Sequence, residues 1–170
     1  MVGTGALGRH HARILASLPE VEMVGIHDAR PEAAEAVARE HGVRAWDSFD
    51  DLASRVDAAV VAVPTRAHAH VGCDLLGRGV HVLVEKPLAS SLAEADRLLA
   101  AQGERVLAVG HVEFFNPAVQ ALCGVGAPRF LEVQRLAMFT PRSLDVDVVL
   151  DLMIHDIQIL HALDASPLRE

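Results

Sequence analysis

The chain has 170 residues, 51% of them apolar, with a formal net charge of −8, enough material for one full domain and part of another. The acidic balance and scattered basic residues exclude the electrostatic footprint of a nucleic-acid or anionic-membrane binder. The longest apolar runs, "AAVVAV" and "DVVLDLMIHDIQIL", are too short or too often interrupted by charge to cross a bilayer. Cys73 and Cys123 stand far apart with no CxxC pattern, which predicts reduced thiols in a cytoplasmic protein.

The first element is a glycine turn, "VGTGALG", with Gly3, Gly5 and Gly8 at G-x-G-x-x-G spacing ahead of the helical "RHHARILASLP". Such a turn should follow a strand, and only Met1 and Val2 precede it. The first strand is therefore expected to be mostly missing, and the sheet to lack a central member. Short β-branched runs bounded by turn residues follow at 21–28, 57–64, 80–85 and 105–111 and read as buried parallel strands. Between them, "PEAAEAVAREHG", "TRAHAHVGCDLLGRG" and "SLAEADRLLAAQG" have helical spacing, and Asp50 and Asp51 are read as the start of a short helix "DDLASR". This alternation predicts an α/β fold, a Rossmann-type doubly wound parallel sheet with right-handed crossovers. Asn116 and Pro117 fit the N-cap and first position of a further helix. Residues 129–139, "RFLEVQRLAMF", alternate like a half-exposed antiparallel strand. The expected division is a dinucleotide-binding domain over 1–118 and, over 119–170, the beginning of an α+β domain with an antiparallel sheet. Because "HALDASPLRE" stops just after one helix, the chain is read as a fragment.

The glycine turn lets backbone approach a pyrophosphate, and the helix N-terminus after it offers N–H groups and a partial positive charge, with Ala6 and Leu7 of the turn counted among the cofactor-binding residues. Asp28, twenty residues beyond Gly8 at the end of the next strand, suits the hydroxyls of an adenosine ribose and repels a 2′-phosphate. That favours NAD over NADP, with Arg30 softening the preference. Glu85, Lys86 and Pro87 end the third strand run, and in open parallel sheets that end faces the ligand crevice. Pro87 has no N–H for the ladder and directs how the Lys86 backbone leaves the sheet. Lys86 is thus a candidate to polarise a substrate oxygen or pass a proton; the plainer alternative is a Glu85–Lys86 pair on a surface loop. Asp151 and His155, four apart, are expected on one helical face, the carboxylate orienting the imidazole. Arg142 is a candidate partner for a substrate phosphate and Asn116 a further candidate substrate contact. "RHH" (His10, His11) and "HAH" (His68, His70) carry no third ligand nearby, so metal binding is not expected.

Taken together, "GTGALGRHHARI", "VGIHDARPE", "VDAAVVAVPTRAH", "GVHVLVEKPLA", "VGHVEFFNPAV" and "DVDVVLDLMIHDI" resemble the Gfo/Idh/MocA oxidoreductases almost from end to end. The resemblance implies an NAD(P)-binding Rossmann domain, a second domain over a sugar or polyol site, and a homo-oligomeric parent protein. It also implies catalytic roles for Lys86, Asp151 and His155, and it places Val63, Pro64, Thr65 and His68 in a "PTxxH" loop beside the nicotinamide. Within the family, the branch that oxidises the 3-hydroxyl of UDP-N-acetylhexosamines is the nearest in look. Phe114 and Gln158 depart from that branch, which commonly has arginine and aspartate there. An inositol, polyol or hexose dehydrogenase and a non-catalytic nucleotide-binding fragment are the alternatives.

Overall fold

Residue chemistry at helix ends accounts for most of the boundaries in the computed structural model, which describes residues 1–126, 128–136, 147–164 and 166. Helix α1 (Ala6–Ser17) leaves directly from the glycine turn. Helix α2 (Pro31–His41) begins with proline in the first turn and ends at Gly42, whose φ of 67° is left-handed. The short α3 (Phe49–Ala53) is capped by Ser48, whose side chain accepts the Asp51 N–H at 3.1 Å. Ser48 rather than Asp50 or Asp51 therefore starts this helix, and Asp50 instead pairs with Arg78. Helix α4 (Thr65–Gly77) follows the Pro64 turn. Helix α5 (Leu92–Gln102) has Ser91 at its N-cap, and Glu94 reaches back to the Ser90 N–H and hydroxyl.

Strands β1 (Ala58–Val61), β2 (His81–Glu85) and β3 (Leu107–Gly110) lie in the order β1-β2-β3. β1 and β2 pair in parallel with Ala58 opposite His81. Beyond β1 the sheet continues through isolated parallel bridges: Val2 to Val61 and to His27, then Ile26 to Ala45. The spatial order is thus Ala45, Ile26–His27, Val2, β1, β2, β3. This is the doubly wound arrangement, with its direction of winding reversing between Val2 and β1.

Two expectations need correction. The central place in the sheet is occupied after all, because Met1 to Gly3 bond to both neighbours: Val2 N–H to Val60 O, Ala62 N–H to Val2 O, Gly3 N–H to His27 O and His27 N–H to Met1 O, each at 2.9 Å. The strand expected over 21–28 pairs only at Ile26 and His27. Behind them the Gly25 carbonyl still accepts the Met1 amine at 3.0 Å, while the Trp46 indole N–H takes the Val24 carbonyl at 3.2 Å and Gly25 has φ 153°.

Side-chain alternation fills both faces of this sheet. Ile26, with Val60 and Ala62 beside it, packs on Ala12 of α1 and on Ala34 and Val37 of α2. Val61, Val82 and Val84 pack on Leu75 of α4 and Leu98 of α5. Helices α4 and α5 touch so closely that a β-carbon on Gly72 would lie 2.6 Å from Leu98.

The chain divides into units Met1–Val109 and Gly110–Glu170. Within the second, a 3₁₀ turn (Val112–Phe115) precedes α6 (Pro117–Cys123), whose N-cap Asn116 accepts the Ala118 N–H at 3.0 Å. A π-helical turn (Val149–Met153) then runs into α7 (Ile154–Leu163), with the Asp147 side chain accepting the Leu150 N–H. Residues 129–136 form no strand, correcting the antiparallel reading; 137–139 lie outside the described residues. A strand needs a hydrogen-bonding neighbour, and among the described residues none lies beside this segment. Its side chains turn instead to the last helix, Leu131 and Val133 lining a groove of about 410 Å³ with Leu152 and Ile157.

Leu98 is fully buried at the α4–α5 contact, so Leu98→Ala is expected to destabilise the fold by about 2–5 kcal/mol. Urea unfolding followed by far-UV circular dichroism measures this; a loss below about 1 kcal/mol would contradict the packing described.

Candidate functional site

The carboxyl ends of the strand segments gather most of the residues singled out in the sequence. Gly3 has φ 91°, and a β-carbon there would lie 2.5 Å from the Ala62 carbonyl, so the turn after Val2 and the end of β1 approach as only glycine allows. A β-carbon on Gly8 would collide with the Gly3 carbonyl, which makes Gly8 the contact between helix and turn. Gly5, by contrast, has open space around it, and Gly5, Ala6 and Leu7 are exposed. No side chain caps α1, and its first turn carries no acid. A helix start with no side-chain cap, no acid within its own first turn and an uncluttered glycine fits a dinucleotide pyrophosphate.

Asp28 sits beside this turn. One oxygen, Oδ2, accepts both the Thr4 N–H and the Thr4 hydroxyl at 2.7 Å, and Oδ1 accepts the Arg30 N–H at 2.9 Å. Burial pushes the carboxyl pKa up, but these hydrogen bonds and the Arg30 charge outweigh it and leave the pKa below the usual carboxylate value. An ionised carboxylate offers about four acceptor positions, so about one is left for a ribose hydroxyl. Thr4, which the motif spacing treats as a variable position, therefore sets the orientation of Asp28.

Glu85 is held in a similar way. Its Oε1 accepts from His11 Nε2 at 2.6 Å and its Oε2 from the Lys86 backbone N–H at 3.1 Å. Burial again raises the pKa, while the His11 hydrogen bond and charge, the Lys86 N–H and the Lys86 charge lower it further, for a net decrease. His11 is thus engaged from α1 to the end of β2, a link that spacing along the chain does not reveal. Lys86, at the end of β2 and followed by a cis bond to Pro87, is the chain's only lysine.

His68 is 1% exposed. Its Nδ1 faces the Pro87 carbonyl at 2.8 Å and its Nε2 the Val63 carbonyl at 2.9 Å. The ring joins the end of β1 to the chain just past Lys86. Its nitrogens are both turned to backbone, so its place in the loop with Val63, Pro64 and buried Thr65 is that of a brace.

In the second unit, His155 and Asp156 are buried. The His155 ring meets the His111 ring edge-on, centroids 6.4 Å apart. Asp151 lies within the π-helical turn that leads into α7, the helix that carries His155. The adjacent Asp156 receives Arg135 through Nε at 2.9 and 3.0 Å and through Nη2 at 2.7 Å. Neither His111 nor the Arg135–Asp156 pair is apparent from periodicity. Gln158 Oε1 is buried with no hydrogen-bond partner among the described residues. Asn116 Oδ1 accepts the Ala118 N–H as the cap of α6, and Arg142 lies outside the described residues.

Strand order, glycine turn and acidic strand end together define a dinucleotide-binding Rossmann domain. The family model for Gfo/Idh/MocA proteins, described as "Oxidoreductase family, NAD-binding Rossmann fold", matches residues 1–111, and the chain belongs to that family. It is 45% identical over 163 residues to UDP-N-acetylglucosamine 3-dehydrogenase of Acidithiobacillus ferrooxidans, covering 94% of this chain and 51% of that protein. It is 35% identical to an inositol 2-dehydrogenase of Rubrobacter xylanophilus, over 92% of this chain and 49% of that one. A solved structure of the Acidithiobacillus ferrooxidans enzyme superposes with a TM-score of 0.92 at 42% identity, covering 99% of this chain and 57% of that chain. GenD2 from gentamicin A biosynthesis, solved in complex with NAD, superposes with a TM-score of 0.84 at 25% identity, covering 98% and 53%. The chain thus spans about half the length of the curated relatives it matches.

The lowered pKa values of Asp28 and Glu85 give a signed pH dependence. Their contribution to stability is present above the unfolded values, about 3.9 and 4.3, and is lost as pH falls through the lower folded values. Urea unfolding between pH 3 and 7 is expected to show stability dropping below about pH 4, with a shallower drop in Glu85→Gln. An equal drop in the variant would contradict the assigned role of the His11–Glu85 pair.

Proposed function

We propose that the protein is an NAD(P)-dependent dehydrogenase that oxidises a secondary hydroxyl of a sugar or polyol, with the 3-hydroxyl of a UDP-N-acetylhexosamine as the favoured substrate. The observation that carries the reading is the position of Lys86, the sole lysine, just past the end of β2, at the same carboxyl edge of the sheet as the glycine turn after Val2 and Asp28 after His27. The identity to UDP-N-acetylglucosamine 3-dehydrogenase supports the substrate class, and the inositol dehydrogenases support a polyol as the second reading. Gly3, Gly5, Ala6, Leu7, Gly8 and Asp28 are proposed to hold the cofactor, with Val63, Pro64, Thr65, His68 and Glu85 shaping its nicotinamide end. Asp28 disfavours a 2′-phosphate, so NAD is the proposed cofactor.

Oxidation of a secondary alcohol removes a hydride from carbon and a proton from oxygen, leaving a ketone. Bound NAD supplies the hydride acceptor. In the proposal Lys86 and His155 manage the hydroxyl proton and the developing alkoxide, and Asp151 stabilises the charged imidazole. Asn116 and Arg142 are proposed substrate contacts, Arg142 for a phosphate. Residues 1–118 and 119–170 are the proposed cofactor and substrate domains, and the working protein is proposed to be a cytoplasmic homo-oligomer.

Lys86→Met and His155→Asn are each expected to lower kcat by about 10²–10⁴-fold with the NAD dissociation constant changed by less than about threefold. Nicotinamide absorbance with UDP-N-acetylglucosamine, inositol and hexoses, beside a fluorescence titration of NAD, checks both. NAD binding with turnover on none of these substrates would overturn the dehydrogenase reading in favour of a binding module.

A further inference from the structure

Both chain neighbours of Lys86 are held by buried or half-buried imidazoles that come from different helices. On the N-terminal side, the Glu85 carboxylate only accepts, so His11 Nε2 carries the proton and donates to it. The other oxygen of the same carboxylate accepts the N–H of Lys86 itself. On the C-terminal side, His68 faces the Pro87 carbonyl with Nδ1 and the Val63 carbonyl with Nε2. His11 belongs to α1, which starts at the glycine turn, and His68 to α4, which starts just past the end of β1.

We propose that His11 and His68 are positioning residues for Lys86: they fix its backbone from both sides and tie it to the glycine-turn helix and to the end of β1. The proposal rests on the reading of Lys86 as the group that works on the substrate oxygen. A displacement of about 1 Å in such a group costs on the order of 100-fold in rate, so two anchors on adjacent residues have a kinetic consequence. His11 acts through Glu85 and His68 through Pro87; neither is assigned contact with substrate.

Because Lys86 is the only lysine, protein grown with [13Cε]lysine has one side-chain resonance from it, which reports its surroundings without catalysis. His11→Ala and His68→Leu are expected to shift or split that resonance and to lower kcat about 10- to 100-fold, while KM for the sugar moves by less than about threefold. His11→Gln, which keeps an N–H for Glu85, is expected to bring both readouts back toward wild type. Far-UV circular dichroism and a cooperative thermal melt establish folding; if His68→Leu does not fold, the two His11 variants decide. Folded variants with an unmoved resonance overturn the proposal whatever their kcat, and so does a moved resonance with wild-type kcat when Lys86→Met is inactive. An active Lys86→Met overturns the role given to Lys86 in the reaction, while a moved resonance in the same set still supports the bracing by the two histidines.

Discussion

Four backbone hydrogen bonds made by Met1, Val2 and Gly3 hold the first unit together as a single sheet. On one side they reach His27 and on the other Val60 and Ala62. Without them Ile26–His27 and β1 would be separate edges, each exposing unpaired N–H and C=O groups. The same three residues bring Gly3 against the Ala62 carbonyl and let α1 start at the carboxyl edge of the sheet. The central pairing and the phosphate-binding geometry are therefore consequences of one short segment, and the glycines are required because two stretches of main chain meet there with no room for a β-carbon.

Around that segment the polar groups form a chain of contacts rather than isolated side chains. Thr4 orients Asp28, His11 orients Glu85, Glu85 receives Lys86, and His68 joins Pro87 to Val63. Asp28 and Glu85 each accept from N–H or O–H groups, which is the condition for keeping a carboxylate out of water; His68 lies between two carbonyls, and a neutral ring donates to one of them. Asp28 and Glu85 both end with lowered pKa values although burial alone would raise them. The strand ends thus carry fixed negative charge beside an uncapped helix start. In the second unit the same rule holds for Asp156, which Arg135 neutralises through two nitrogens.

Family membership and geometry bear on different parts of this picture. The match to the NAD-binding family model covers 1–111 and agrees with the strand order seen here. The relatives' names speak to substrates of proteins about twice as long. What the first unit itself contributes is a glycine turn with Asp28 beside it and a lysine whose two chain neighbours are in contact with His11 and His68. In the second unit, Gln158 Oε1 is buried with no hydrogen-bond partner among the described residues.

Periodicity and end signals alone were sufficient for the helices and for the strand–helix alternation. Pro31, Gly42, Ser91, Asn116 and Pro117 act locally, through φ angles and through side-chain bonds to N–H groups two or three residues away. The glycine spacing and the E-K-P strand end were legible for the same reason. The brevity of the 21–28 strand was not, because the Trp46 indole that takes the Val24 carbonyl lies some twenty residues on. The absence of a strand over 129–136 likewise depended on a missing neighbour. Sequence by itself determined the winding, the cofactor turn and the residues worth suspecting, since these follow from neighbours a few positions apart. Tertiary structure alone decided which groups meet, His11 with Glu85 across 74 positions and His68 with Pro87 across 19, because a hydrogen bond depends on distance in space and not on separation along the chain.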